Sequence, residues 1–147
     1  MFSVLITWAP DTTENRRVVD AVRAAFDDLK LDTKVEKAAE CSIAHLATAD
    51  IVVIGIQKWG TAEVHPDFSE LVRVFKGVTL AGRTAGIFSI GTERASARMR
   101  KALKDTEISL LEDDPVFADQ KTGKSPEIAD WAKKLAAFTQ GSTHAHG

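Results

Sequence analysis

The chain has 147 residues, with 19 Lys+Arg against 21 Asp+Glu, one cysteine, nine glycines and no tyrosine. That length suits one domain rather than two, 44% hydrophobic residues with mixed charges exclude a disordered chain, and a single Cys41 excludes an internal disulfide framework and fits a reducing compartment. A net charge of −2 gives no general attraction to nucleic acid or to an acidic membrane surface, no apolar run approaches the roughly 20 residues that span a bilayer, and the start MFSVLITW lacks the basic and small-residue pattern of a secretory signal, so the expectation is a cytoplasmic protein.

The elements follow in order. Phe2 to Trp8 reads as a strand, followed by a polar stretch from Pro10 to Asn15. Val18, Val22, Ala25, Phe26 and Leu29 then recur with the spacing of an amphipathic helix. Thr33 to Glu36 is a short strand, and Ser42 caps one or two helical turns ending at Ala47. Ile51 to Ile56 is apolar on both faces, which suits a central parallel strand covered on both sides. A loop from Gln57 to Pro66 precedes the helical stripe Phe68, Leu71, Val72, Phe75. Thr84 to Ile90 is a fourth strand ending at Gly91, Ala95, Met99, Ala102 and Leu103 form a helical face, and Ile108 to Leu111 is a fifth strand. Residues 113 to 125 read as a polar loop. Ser125 then caps a last helix with Pro126 at its first position and Ile128, Trp131, Leu135 and Phe138 on its apolar stripe. The domain is expected over 1–140. A loose tail is expected over 141–147, whose His144 and His146 read as part of a disordered end rather than metal ligands.

Five β–α units with buried strands imply an α/β protein built on a doubly wound, five-stranded parallel sheet with helices on both faces. Ligands of such sheets bind outside the C-terminal strand ends, which directs attention to loops 9–15, 57–66 and 91–94. The first offers a helix N-terminus, with free N–H groups and partial positive charge, and the hydroxyls and amide of Thr12, Thr13 and Asn15. It also reads as an ordinary capped start, with Asp11 or Thr12 as N-cap and Glu14 as its reciprocal partner. In the second, Trp59-Gly60 stands at the tip of the central strand, where a large ring either folds onto the core or stacks on a flat ligand. His65 reads as a loop or cap residue. In the third, Gly91 permits a tight turn.

Together these residues resemble the flavodoxin family in its short-chain form, from Phe2 to about Phe138. Pro10-Asp11-Thr12-Thr13-Glu14-Asn15 stands where that family carries its phosphate loop, T/S-x-T-G-x-T; Thr12 matches the central threonine, while Pro10, Thr13 and Asn15 replace the first Thr/Ser, the glycine and the last threonine. Gln57-Lys58-Trp59-Gly60 is similar to the second flavin loop, whose tryptophan stacks on the isoalloxazine, and Gly91-Thr92-Glu93 to the third. The third loop lacks the family's usual tyrosine, with Arg94 the nearest stacking group. The resemblance implies strand order 2-1-3-4-5, FMN as cofactor, electron transfer as activity, and transient docking of a monomer to redox partner proteins, with an acidic patch such as Glu63, Asp67 and Glu70 to steer them. A carboxylate such as Glu63 or Glu93 beside the ring would disfavour added negative charge.

Two other functions stay open on the same fold: a flavin-free binding or regulatory module, favoured by Pro10, Thr13 and Glu14, and an FMN-dependent quinone-type reductase. A phospho-acceptor receiver needs acidic residues at the ends of strands one and three, where this chain has Trp8 and Ile56. Cys41 has no resolving partner and reads as a buried structural residue.

Overall fold

A computed structural model of the chain describes residues 2–61, 64–118 and 125–146. Its elements are β1 (Ser3–Ala9), α1 (Thr13–Asp28), β2 (Asp32–Lys37), α2 (Ile43–Thr48), β3 (Ile51–Gln57), α3 (Ser69–Val74), β4 (Thr84–Ile90), α4 (Ala97–Lys104), β5 (Ser109–Leu110), β6 (Val116–Phe117) and α5 (Pro126–His146). The sheet is parallel in the order β2-β1-β3-β4-β5, with β6 also on β4. The doubly wound arrangement expected from the alternating pattern is therefore present. Among the described residues no helix is long and apolar enough to cross a membrane.

Side-chain alternation along the strands assigns each helix to a face. Leu5, Val52, Ile54 and Ile87 point to the side covered by Leu46 of α2, Leu71 of α3, and Met99 and Leu103 of α4. Val4, Ile6, Val53 and Phe88 point to the side covered by Val18, Val22 and Phe26 of α1 and by Ile128, Trp131 and Leu135 of α5. Gly86 lets α5 lie close to β4: a Cβ there would stand 2.8 Å from both Leu135 Cδ2 and Trp131 Cζ2. Ser42 caps α2 as expected, its hydroxyl accepting from His45 N at 3.3 Å.

The sequence expectation needs correction at the fifth strand. Residues 113–118 are not simply loop, because Val116–Phe117 returns to the sheet. Ala85 pairs with Leu110, an offset of 25, whereas Ser89 pairs with Val116, an offset of 27, so two extra residues bulge out between β5 and β6. The bulge contains Glu112, Asp113, Asp114 and Pro115, three charges and a residue without an N–H. It is pinned from two sides. Arg100 of α4 reaches Asp114 with Nε at 3.0 Å and Nη2 at 2.6 Å, while Trp131 Nε1 donates to the Asp113 carbonyl at 3.0 Å. Lys134 adds an ion pair to Asp113 at 2.9 Å. The last helix begins at Pro126 as expected but runs to His146, through six of the seven residues, 141–147, where a loose tail is expected.

Candidate functional site

Three loops meet at the C-terminal edge of the sheet. In the first, Thr12 has an extended backbone and caps α1, its Oγ1 accepting from Asn15 N at 3.1 Å. The expected reciprocal contact from Glu14 does not form, because the third helical position belongs to Asn15 and Glu14 is exposed. Asn15 is fully buried. Its Nδ2 donates to Pro10 O at 2.9 Å and to Gln57 Oε1 at 3.2 Å, which straps the first loop to the end of β3. Asn15 Oδ1 has no hydrogen-bond partner among the described residues. Thr12 N donates back to Pro10 O at 3.1 Å and Arg16 N to Thr12 O at 2.9 Å, and neither Thr13 nor Glu14 N–H has an acceptor among the described residues. These two amides are the unsatisfied donors a helix start offers an anion.

Asp11 does not place uncompensated negative charge at this position. Its carboxylate takes a two-pronged bond from Arg16, at 2.6 and 2.8 Å, and lies 3.4 Å from Lys37 Nζ. The Arg16 hydrogen bonds, helped by Lys37 and opposed by slight desolvation, hold its pKa at about 2.

In the second loop, Trp59 is 46% exposed, the one exposed large hydrophobic side chain among the described residues. It therefore has not folded onto the core. Its ring meets His65 edge-on, with centroids 4.4 Å apart. His65 is the cap expected from the sequence: its Nδ1 accepts from Asp67 N at 3.0 Å at the start of the 3₁₀ turn Pro66–Phe68. Glu63 lies outside the described residues.

The third loop turns at Gly91, whose φ of +112° few other residues adopt. Lys58 and Glu93 form an ion pair at 3.0 Å across the gap between the second and third loops. Below that pair, Gln57, Lys58, Ile90, Gly91, Thr92 and Glu93 line an open cleft of about 240 Å³. Gln57 thus belongs to both halves of the site, bonded to Asn15 on one side and facing the cleft on the other. Of the residues singled out in the sequence, Pro10, Asn15, Gln57, Lys58 and Glu93 are connected by these bonds. Trp59 and Gly60 stand at the open end, and Asp11, Thr13 and Glu14 make no described contact with the other two loops.

No family model matches the chain. A flavodoxin of Maridesulfovibrio salexigens is 27% identical over 94 residues, 62% of this chain and 64% of that protein, so the match spans less than two thirds of the relative's length. Among solved structures, a short-chain flavodoxin associated with a PDU bacterial microcompartment superposes with a TM-score of 0.80 at 15% identity, covering 95% of this chain and 99% of that one. The Fusobacterium nucleatum flavodoxin bound to flavin mononucleotide superposes with a TM-score of 0.73 at 12% identity, covering 94% and 99%. With its strand order, its loops at the C-terminal edge and these similarities, the chain has the flavodoxin-like fold in its short-chain form.

Proposed function

We propose that this protein binds FMN at the C-terminal edge of the sheet and transfers electrons to and from partner proteins by transient docking. The observation that carries the proposal is Trp59, half exposed at the end of the central strand beside the cleft of Gln57, Lys58 and Gly91–Glu93. An aromatic ring left in water next to an open slot has apolar area to give to a flat ligand. The free amides of Thr13 and Glu14, with the Thr12 and Thr13 hydroxyls, would hold the phosphate. Trp59 and the backbone of Gly91–Glu93 would flank the ring, and Lys58 offsets the Glu93 charge beside it. The redox chemistry is supplied by the flavin when bound; the protein's part is to orient it, limit water and set the local charge.

A second reading keeps the fold without the flavin. It is favoured by the inward turn of Asn15 and by the engagement of Arg16 with Asp11, which leave the first loop with few side chains to offer a phosphate. Titration of FMN into the purified protein separates the two. Under the first reading the flavin band near about 450 nm stays with the protein on gel filtration, and Trp59→Ala weakens binding at least about tenfold while changing stability by less than about 0.5 kcal/mol. Absence of any FMN binding at neutral pH favours the flavin-free module.

A further inference from the structure

β2 is an outer strand of the sheet, and among the described residues it pairs with β1 alone. In a parallel ladder, alternate residues turn both of their backbone groups to the same neighbour. Asp32 N donates to Phe2 O at 3.2 Å, and Asp32 lies in register with Ser3. Asp32, Lys34 and Glu36 therefore bond towards β1, and the N–H and C=O groups of Thr33, Val35 and Lys37 point outward. The side chains alternate as well. Val35 packs on the α1 side of the sheet. Asp32, Lys34 and Glu36 border a cleft of about 310 Å³ on the other side, beside His45 and Thr48 of α2. Three outward donors and three outward acceptors in one extended strand are a template for a further strand. Charged side chains protect such an edge against most strands. Here their order, Lys34-Val35-Glu36, makes an exception for one.

We propose that β2 is the contact of a symmetric dimer, in which it pairs antiparallel with β2 of a second copy about a two-fold axis at Val35. With Val35 opposite its own copy, Thr33 stands opposite Lys37, and the outward N–H and C=O groups of all three residues meet as hydrogen-bonded pairs. On the other face Lys34 stands opposite Glu36, and the symmetry makes this pair twice. Outward groups meet outward groups again only after a slip of two residues. One such slip sets Lys34 against Lys34 and Asp32 against Glu36; the other sets Glu36 against Glu36. Like charges directly opposite destabilise both. The register that satisfies the most backbone groups is thus the one in which the charges match, and this complementarity selects a second copy as the occupant. Glu36 already gives Oε2 to His45 Nδ1 at 2.8 Å, but a carboxylate accepts at both oxygens. Lys37 stays beside Asp11, on the face away from the Lys34–Glu36 pairs. A strip this short buries less than a standard interface, so the dimer is weak and forms at high protein concentration. The two-fold axis closes the pair, which therefore does not grow into a fibre. It also points the C-terminal sheet edges of the two copies in opposite directions, so the proposal does not depend on whether flavin is bound.

The test is sedimentation velocity of the full chain from about 10 µM to about 1 mM, where a reversible dimer is expected to accumulate. Lys34→Glu sets Glu against Glu36 at both ends of the contact and should raise the dimer dissociation constant at least about tenfold. Lys34→Glu combined with Glu36→Lys exchanges the two charges and should return it to within about threefold of the parent. Cross-linking reads the register without relying on that rescue. In a Cys41→Ala background, a mixture of Lys34→Cys and Glu36→Cys proteins should oxidise to a disulfide dimer at least about fivefold faster than either protein alone, because residues directly opposite lie within disulfide reach and diagonal ones do not. A parent that stays monomeric at about 1 mM would overturn the proposal. So would a dimer that Lys34→Glu leaves intact, which would place the contact elsewhere on the chain, or equal cross-linking of the mixture and the single variants, which would mean that Lys34 and Glu36 do not face each other.

Discussion

The carboxamides of Asn15 and Gln57, separated by 42 positions in the chain, meet at 3.2 Å and join the loop after β1 to the end of β3. Asn15 is buried, so its removal takes the side-chain donor from Gln57 Oε1 and one of two donors from Pro10 O, which keeps only Thr12 N. Asn15→Ala is expected to cost about 1–3 kcal/mol in urea unfolding, and Gln57→Leu about 1 kcal/mol. The double variant should fall short of the sum by at least about 0.5 kcal/mol. Strict additivity would mean that the two side chains do not act on each other.

Gly86 sets the distance between β4 and α5. Gly86→Ala pushes a methyl into Trp131 and Leu135 and should cost about 1–3 kcal/mol, with a changed near-ultraviolet circular dichroism signal from Trp131. Gly77→Ala, where a Cβ meets open space, is the control and should stay within about 0.5 kcal/mol of the parent. Equal effects at both positions would refute the packing explanation.

The bond between Arg100 and Asp114 holds the bulge of the fifth strand. The side chains are 17% and 10% exposed, so the loss of either partner leaves a poorly solvated charge. Asp114→Ala should cost about 2 kcal/mol. It should also speed hydrogen exchange at the amides of Ser89 and Gly91, which donate to Pro115 O and Phe117 O on the far side of the bulge. Unchanged exchange there would show that β6 holds its place without Arg100.

Cys41 gives a prediction for alkaline pH. Burial, followed by the nearby Glu36 charge and opposed by Thr7, pushes its thiol up to about 11 from an ordinary 9.0. The unfolded chain therefore ionises first. The thiol's contribution to stability is complete below pH 9 and declines as pH rises towards 11. Urea midpoints measured across that range should drop more steeply for the parent than for Cys41→Ala. Below pH 9, iodoacetamide should label the folded protein at least about tenfold more slowly than the unfolded one. Parallel pH curves would mean that the thiol titrates normally.

The helices and central strands were legible because their signals are local and periodic. Ile51 to Ile56 announces a strand buried on both faces, and the stripes of α1 and α5 match the residues packed against the sheet. The β5–β6 bulge was not legible. Val116 and Phe117 are only two residues long, and what returns them to β4 is a set of distant partners, Arg100, Trp131 and Lys134. At the site, the three loops follow from the fold, but the direction of each side chain does not. Asn15 stands at a position expected to face a phosphate, yet turns inward because two acceptors, Pro10 O and Gln57 Oε1, lie within its reach. Asp11 reads as one of two candidate N-caps, but Thr12 takes that place and Asp11 pairs instead with Arg16 and with Lys37, which β2 brings alongside.

The bulge between Leu110 and Val116 bears on how these molecules behave at high concentration. β5 and β6 form an outer margin of the sheet, where an uninterrupted strand would present a straight row of free N–H and C=O groups to any passing chain. Two strand pieces of two residues each, split by three carboxylates and a proline, offer no run long enough to nucleate such pairing. The anchoring by Arg100 and Trp131 thus also guards against sheet-to-sheet aggregation, a safeguard that stability measurements on dilute protein would not reveal.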